Sequence, residues 1–303
     1  MANYLIGDMI YENRVARGYS QEELSFGICS TSSLSRIENN IQVPGKKLFD
    51  AIMQRLGVSE SIYSAFISKE EMELVRLKQK LVWKLENFDF AGMDTLVEDM
   101  EARIHEWNDL DKQYLLFVKA NILKHNHGDA QKVLKMLLEA IHITMPGFEK
   151  AGNIRKRLLT FDEITILNGI ALGYDDLGEA KKALKLLMEL KEYLESHKID
   201  EEEKSQKYPL IIYNITRRLG ACGHHADVFE LCEEGIDFCT AHSKLNLLPL
   251  LITNKACAAA ELEKGEVAEK LFKQAIVLFE ICKKESFAEK IKKEAKDSYG
   301  IDI

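Results

Sequence analysis

Four prolines and seventeen glycines are all that interrupt 303 residues. Proline removes a backbone donor and clashes with the preceding turn, and glycine costs about 1 kcal/mol in a helix interior. Their scarcity leaves long helices open almost everywhere. Alternating runs rich in β-branched and aromatic residues are also scarce, which leaves little room for a sheet. No run of about 18 apolar residues occurs, so a transmembrane helix is not expected. The opening stretch, Met1 to Arg14, lacks a basic segment and places Asp8 and Glu12 where a secretory leader needs an apolar core. A cytoplasmic location is therefore expected. Six cysteines, at 29, 222, 232, 239, 257 and 282, include no C-x-x-C pair. That argues against a zinc site and for reduced, half-buried core thiols. Basic residues are outnumbered, 41 Lys and Arg against 49 Asp and Glu, for a net charge of −8. Such a chain does not coat nucleic acid through bulk charge, although a small local reading surface remains open to it.

Helical periodicity is present in quantity, and the first 65 residues divide it into short pieces. A helix is expected from about Leu5 to Gly18, with Leu5, Met9, Ile10 and Val15 as its apolar stripe. Ser20-Gln21-Glu22-Glu23 has the form of a capping box, in which serine and glutamate satisfy each other's backbone N–H. A helix from Gln21 to about Phe26 follows, then a turn at Gly27-Ile28-Cys29. Ser30 can cap the next helix, Thr31 to about Asn39, and Gly45 to Leu56 is a fourth, stopped by Gly57. Two short helices joined by a tight turn inside a small bundle form a helix-turn-helix, whose second helix enters the major groove. Leu34 and Ile37 then point inward, and Thr31, Ser32, Ser33 and Arg36 point out. Small hydroxyl side chains let a helix sit deep against bases or phosphates, and Arg36 can meet a guanine edge or a phosphate. Gln21, at a helix start, is placed to hold a phosphate. The candidate DNA-contacting residues are thus Gln21, Ser30, Thr31, Ser32, Ser33 and Arg36. Charges in this segment nearly cancel, so affinity should lean on two copies of the domain and a few placed contacts. The competing reading is a four-helix bundle used only for protein contacts.

Gln21-Glu22-Glu23-Leu24, Ser35-Arg36-Ile37-Glu38, Pro44 and Leu56-Gly57-Val58, taken together, resemble the Cro/phage-repressor (XRE-type) helix-turn-helix family. Gly27-Ile28-Cys29-Ser30 followed by Ser-Arg-Ile-Glu-Asn resembles the PlcR/Rgg (RNPP-type) group within it. That resemblance implies a Gram-positive transcription regulator with helical repeats behind the DNA-binding domain, responding to a small signalling peptide in quorum sensing.

Beyond residue 66 a loose repeat emerges. Connectors at Asn87-Phe88-Asp89, Asn126 to Asp129, Leu177-Gly178-Glu179, Cys222-Gly223-His224 and Lys264-Gly265-Glu266 are each followed by an alanine. Those alanines, Ala91, Ala130, Ala180, Ala226 and Ala268, are spaced by 39, 50, 46 and 42 residues. This period means stacked helix pairs, none able to bury its face alone. Leu167, Ile170, Ala171, Tyr174, Gly178, Ala183, Leu187 and Leu190 fit the small/large pattern of a tetratricopeptide (TPR) repeat. Five pairs are expected, beginning near residues 70, 109, 161, 205 and 246. A last helix, about Ser286 to Ser298, would close the array, with Lys283, Lys284, Lys290, Lys292, Lys293 and Lys296 as a solvated basic cap. Thr144 to Arg157 and Ser196 to Ser205 read as longer inter-repeat turns. The fold class is all-α: a helix-turn-helix bundle (1–66) followed by a linker helix and a TPR-like α-solenoid of about five pairs (67–303) for sensing and dimerisation.

One asparagine recurs on the first helix of successive pairs: Asn121, Asn168, Asn214 and Asn254, at steps of 47, 46 and 40. A carboxamide both donates and accepts, so a ladder of them can pair with an extended peptide backbone. The family resemblance points in particular to Asn168 and Asn214. Tyr174, Arg217, Tyr213, Lys119 and Phe117 are expected neighbours, with Arg217 or Lys119 available to a carboxylate. An asparagine in mid-helix can equally well bond to nearby backbone with no ligand involved. No phosphate-binding glycine loop, nucleophile elbow or H-E-x-x-H motif is present, so no enzyme, cofactor or metal is expected. His125, His127, His224 and His225, and the acidic groups Asp175-Asp176 and Glu201-Glu202-Glu203, are expected in solvated turns. The expected function is that of a homodimeric regulator binding double-stranded operator DNA under control of a short peptide, with no membrane partner. One alternative gives the repeats a protein partner in place of the peptide. Another is a phosphatase-like or sequestering interaction protein without specific DNA binding.

Overall fold

The computed structural model describes residues 6–58, 69–87, 89–104, 108–148, 154 and 157–303. Among them are fifteen helices and no strand. The chain forms two compact units, Met1–Asp200 and Glu201–Ile303.

The first unit opens with four short helices, α1 (Ile6–Ala16), α2 (Gln21–Ser25), α3 (Thr31–Glu38) and α4 (Lys46–Arg55). Their shared core is Met9, Ile10, Leu24, Leu34, Ile37, Phe49, Ile52, Met53 and Leu56. The stripe expected on the first helix is narrower than the sequence suggests. Val15 is exposed, and Leu5 lies outside the described residues. Helices α5 (Lys69–Glu86) and α6 (Met93–Arg103) follow. Two further pairs complete the unit: α7 (Asp109–His125) with α8 (Ala130–Thr144), and α9 (Phe161–Asp176) with α10 (Ala180–Ser196). Side-chain caps set several of these starts. Asn108 accepts from the backbone N–H of Asp111, and Asp129 accepts from that of Lys132. Thr160 and Glu163 close a capping box at the head of α9. The TPR-patterned positions Leu167, Ile170, Ala171, Ala183, Leu187 and Leu190 are all core. Gly173 faces Leu134 so closely that a β-carbon there would lie 3.0 Å from its Cδ1, which is how small residues let neighbouring helices approach.

The second unit holds α11 (Glu201–Ala221), α12 (His225–Ala241), α13 (Leu248–Glu261), α14 (Gly265–Ile281) and α15 (Glu285–Tyr299). Its larger core sets alanines of α13 and α15 against Phe272 and Phe279 of α14. Ala288, Ile291 and Ala295 are the buried face of α15. Its lysines face outward as a cap should, and Lys292 pairs with Glu280 and Glu289.

Some sequence expectations need correction. Glu201, Glu202 and Glu203 form the first turn of α11, because carboxylates are favoured beside the exposed N–H groups of a helix start. Asp175 and Asp176 end α9, where Lys124 pairs with Asp176 at 2.5 Å. His125 ends α7, stacked on Phe90 at 4.1 Å, and His225 begins α12. Cys222 is exposed, whereas Cys232 and Cys239 are fully buried. The expected boundary at 66/67 falls outside the described residues, as do Phe88 and most of the connector between Thr144 and Arg157. Among the described residues no helix is long and apolar enough to cross a membrane.

Candidate DNA-reading face and ligand residues

The local chemistry of residues 20–38 builds a helix-turn-helix. Ser20 caps α2 by accepting from the Glu23 backbone N–H (3.1 Å), and Glu23 accepts from the Ser20 N–H (2.7 Å). The Ser20 backbone N–H and the Ser20 hydroxyl both donate to the Glu23 carboxylate and hold it below its usual range. Gly27 turns the chain at φ +71°, a conformation that costs glycine little and other residues more. Ser30 then caps α3, accepting from the Ser33 N–H at 3.1 Å. Leu24, Leu34 and Ile37 are completely buried, which fixes how far α3 can roll. Its outer face carries Thr31, Ser32 and Arg36, all exposed, with Ser33 half-buried. The hydroxyls are lightly engaged with one another, Ser30 with Ser32 at 3.0 Å and Thr31 with Ser25 at 3.3 Å.

The cations of the first 68 residues are otherwise spoken for. Arg14 grips the buried Glu38 through both oxygens, at 2.6 and 2.8 Å. Arg17 bonds Asn13, Lys46 pairs with Asp50, and Lys47 pairs with Asp111 at 2.5 Å. Arg55 is buried against Glu163. Among the described residues, only the Arg36 side chain of this set has no partner within the protein, and it stands on the outer face of the reading helix. Gln21 is where the geometry departs from expectation. Its amide donates to Glu38 at 2.7 Å, joining Arg14 on that carboxylate, so it ties α2 to α3 before it can serve a phosphate. The sequence reading overlooked Glu38 as the hub of this network.

The asparagines sit on α7, α9, α11 and α13, the first helices of their pairs. Asn121 is half-buried and donates to the Phe117 carbonyl one turn back (2.8 Å). Asn254 donates to the Thr216 hydroxyl of α11 (2.9 Å). Asn168 and Asn214 are the most enclosed, at 7% and 4% exposure. Lys119 pairs with Glu101 at 2.6 Å, and Phe117 is core. The Lys182 ammonium lies 5.2 Å from the centre of the half-buried Tyr174 ring. Arg217 is exposed and bonds Tyr213, whose hydroxyl burial pushes up in pKa while Arg217 partly offsets that push. Burial likewise drives the thiols of Cys232 and Cys257 to about 12 and that of Cys239 to about 11. These thiols stay protonated at neutral pH and are poor nucleophiles. No group of three or more metal-ligating side chains occurs among the described residues.

Comparison with known proteins agrees with this geometry. Residues 10–63 match the helix-turn-helix family HTH_3. No curated protein matches the chain. Among solved structures it is similar to Bacillus thuringiensis PlcR in complex with the peptide PapR7 and DNA: TM-score 0.63, 20% identity, 94% of this chain and 98% of that one. It is also similar to ComR from S. thermophilus in complex with DNA and its signalling peptide ComS: TM-score 0.55, 16% identity, covering 97% and 99%. Streptococcus vestibularis ComR in complex with its cognate signaling peptide XIP gives a TM-score of 0.56 at 14% identity, covering 98% of each chain. Residues 10–63 are therefore a helix-turn-helix domain, and the chain as a whole has the fold of PlcR and ComR.

Proposed function

We propose that the protein is a cytoplasmic, homodimeric transcription regulator that reads operator DNA with α3 and answers to a short signalling peptide held by its repeats. The observation that carries the DNA half is the outer face of α3: Thr31, Ser32 and Arg36 exposed on a helix capped by Ser30. The peptide half is supported by the shared fold with PlcR and ComR. In this reading the leading peptide contacts are Asn168 on the first unit and Asn214 on the second, followed by Asn121 and Tyr174 on the first and Asn254 and Arg217 on the second. Peptide control requires only that the peptide bind one shape of the protein more tightly than another. Ser32→Glu tests the division of labour, since it sets a carboxylate against the phosphates without touching the repeats. The expected result is loss of DNA binding by fluorescence anisotropy with peptide binding intact. Equal loss of both in a folded variant refutes the two-module picture. If no short peptide alters DNA binding, a protein partner takes the peptide's place.

A further inference from the structure

Helix α4 is buried all round at its C-terminal end. Ala51, Ile52, Met53, Gln54, Arg55 and Leu56 are all enclosed, though a helix on one side of a small bundle should leave its far side wet. What covers that side is the first unit's own repeat array. The Arg55 guanidinium donates to Glu163 at the head of α9 (3.2 Å), with side-chain exposures of 1% and 0%. It also donates to the carbonyls of Leu24 and Phe26, at the end of α2. Gln54 accepts from the Phe161 backbone N–H at 3.1 Å. Lys47 reaches Asp111 on α7, and the Arg157 guanidinium lies 4.8 Å from the centre of the Phe26 ring. Leu158 completes the four-helix core. Two turns fit against the array so closely that a β-carbon at Gly27 would fall 1.9 Å from the Thr144 carbonyl oxygen, and one at Gly57 would fall 2.0 Å from that of Lys198.

The docked surface and the reading surface do not overlap. The contacts just described fall at the end of α2, the turn after it, and α4. None of the candidate DNA-reading residues is among them, and Thr31, Ser32 and Arg36 stay exposed while the bundle is seated. We propose that the repeat array holds the reader with its reading face outward, in the pose that binds DNA, and that Arg55–Glu163 and Gln54–Phe161 are the latch. Arg55, Glu163 and Gln54 are then positioning residues for DNA recognition. The inference rests on the DNA-reading proposal above.

The latch supplies its own reporter. Phe161 is the first residue of α9, so its N–H has no partner within the helix. It donates to Gln54 instead, and losing that bond should speed its exchange. Hydrogen exchange at the Phe161 amide of the full chain therefore reads whether this bond is made, with Gln54→Ala as the reference in which it cannot be. The DNA is a duplex enriched from a random pool by the wild-type chain. The expected result is that the Phe161 amide stays protected when that DNA binds. Glu163→Gln keeps a side chain able to complete the capping box but removes the charge facing Arg55. It should speed Phe161 exchange and weaken DNA binding by roughly tenfold or more, because the binding pose is then populated only a fraction of the time. Deprotection of Phe161 on DNA binding overturns the proposal, and so does a Glu163→Gln chain that exchanges faster yet binds DNA as tightly as wild type or tighter. Either would make the array a mask. An unfolded Glu163→Gln chain leaves the wild-type exchange measurement and Gln54→Ala to decide. If the wild-type chain enriches no sequence, the DNA-reading proposal itself fails.

Discussion

The outward residues of α3 and the asparagines of the repeats look equally functional in sequence, yet the fold uses them differently. Thr31, Ser32 and Arg36 have little to do inside the protein, and Arg36 has no partner among the described residues. Asn121 and Asn254 are tied to Phe117 and Thr216, and Asn168 and Asn214 are almost wholly enclosed. The difference is that a recurring period locates a residue on a helix but says nothing of what its side chain is already doing. A cation left unpaired where its neighbours are all paired is the stronger mark of an external partner.

The same contrast appears among ion pairs, and breaking them gives the largest expected effect. Glu163→Ala strands the buried Arg55 guanidinium and should lower the stability of the first unit by roughly 3–5 kcal/mol in denaturant titrations. Arg103→Ala, which removes exposed pairs to Asp99 and Glu73, should leave the midpoint where it was. If the two variants behave alike, the buried pair is not what holds the bundle to α9. Next in size, Arg36→Ala should weaken DNA binding by about 1–3 kcal/mol with an unchanged melting temperature. Gln21→Ala should lose stability as well, because Glu38 loses a donor. Among the asparagines, Asn254→Ala should cost about 1 kcal/mol by losing its bond to the Thr216 hydroxyl, which keeps its own bond to the Tyr213 carbonyl, whereas Asn121→Ala should cost nothing, since alanine is the better helix former.

The smallest effect is a pH dependence. Burial holds the His197 imidazole below its ordinary value, with a bond to the Tyr193 carbonyl partly opposing. The unfolded chain then takes up the proton first, so stability present above the ordinary value of about 6.5 is lost as pH falls through the lower folded-state value. Thermal melts from pH 7.5 to 5 should show a shallow decline that His197→Gln flattens. An unchanged slope in that variant would assign the decline to other groups.

Much of the fold was legible. The capping box at Ser20–Glu23 and the cap at Ser30 are written locally, and the second helix of each pair begins close to the recurring alanine. The acidic runs were misplaced because charge alone does not separate a turn from the first turn of a helix. The seating of the bundle on the repeats could not be read, since it joins Arg55 to Glu163 across 108 residues. A trace was there. Arg55 follows Ala51 and Ile52 by four and three positions, on the side of α4 that faces inward, where a charge needs a partner. The Glu38 hub left a similar trace, a carboxylate beside Ile37 and one turn after Leu34.

The scarcity of unpaired cations on the reader has a thermodynamic consequence. Binding to duplex DNA releases condensed counterions in proportion to the phosphates neutralised, and the slope of log K against log salt is about −0.9 for each. A domain that has committed Arg14, Arg17, Lys46, Lys47 and Arg55 internally has few left to displace ions. Its affinity should therefore fall gently with ionic strength, and it should spend little time on random genomic sequence. Such a reader would find its operator less by sliding on charge than by the match itself.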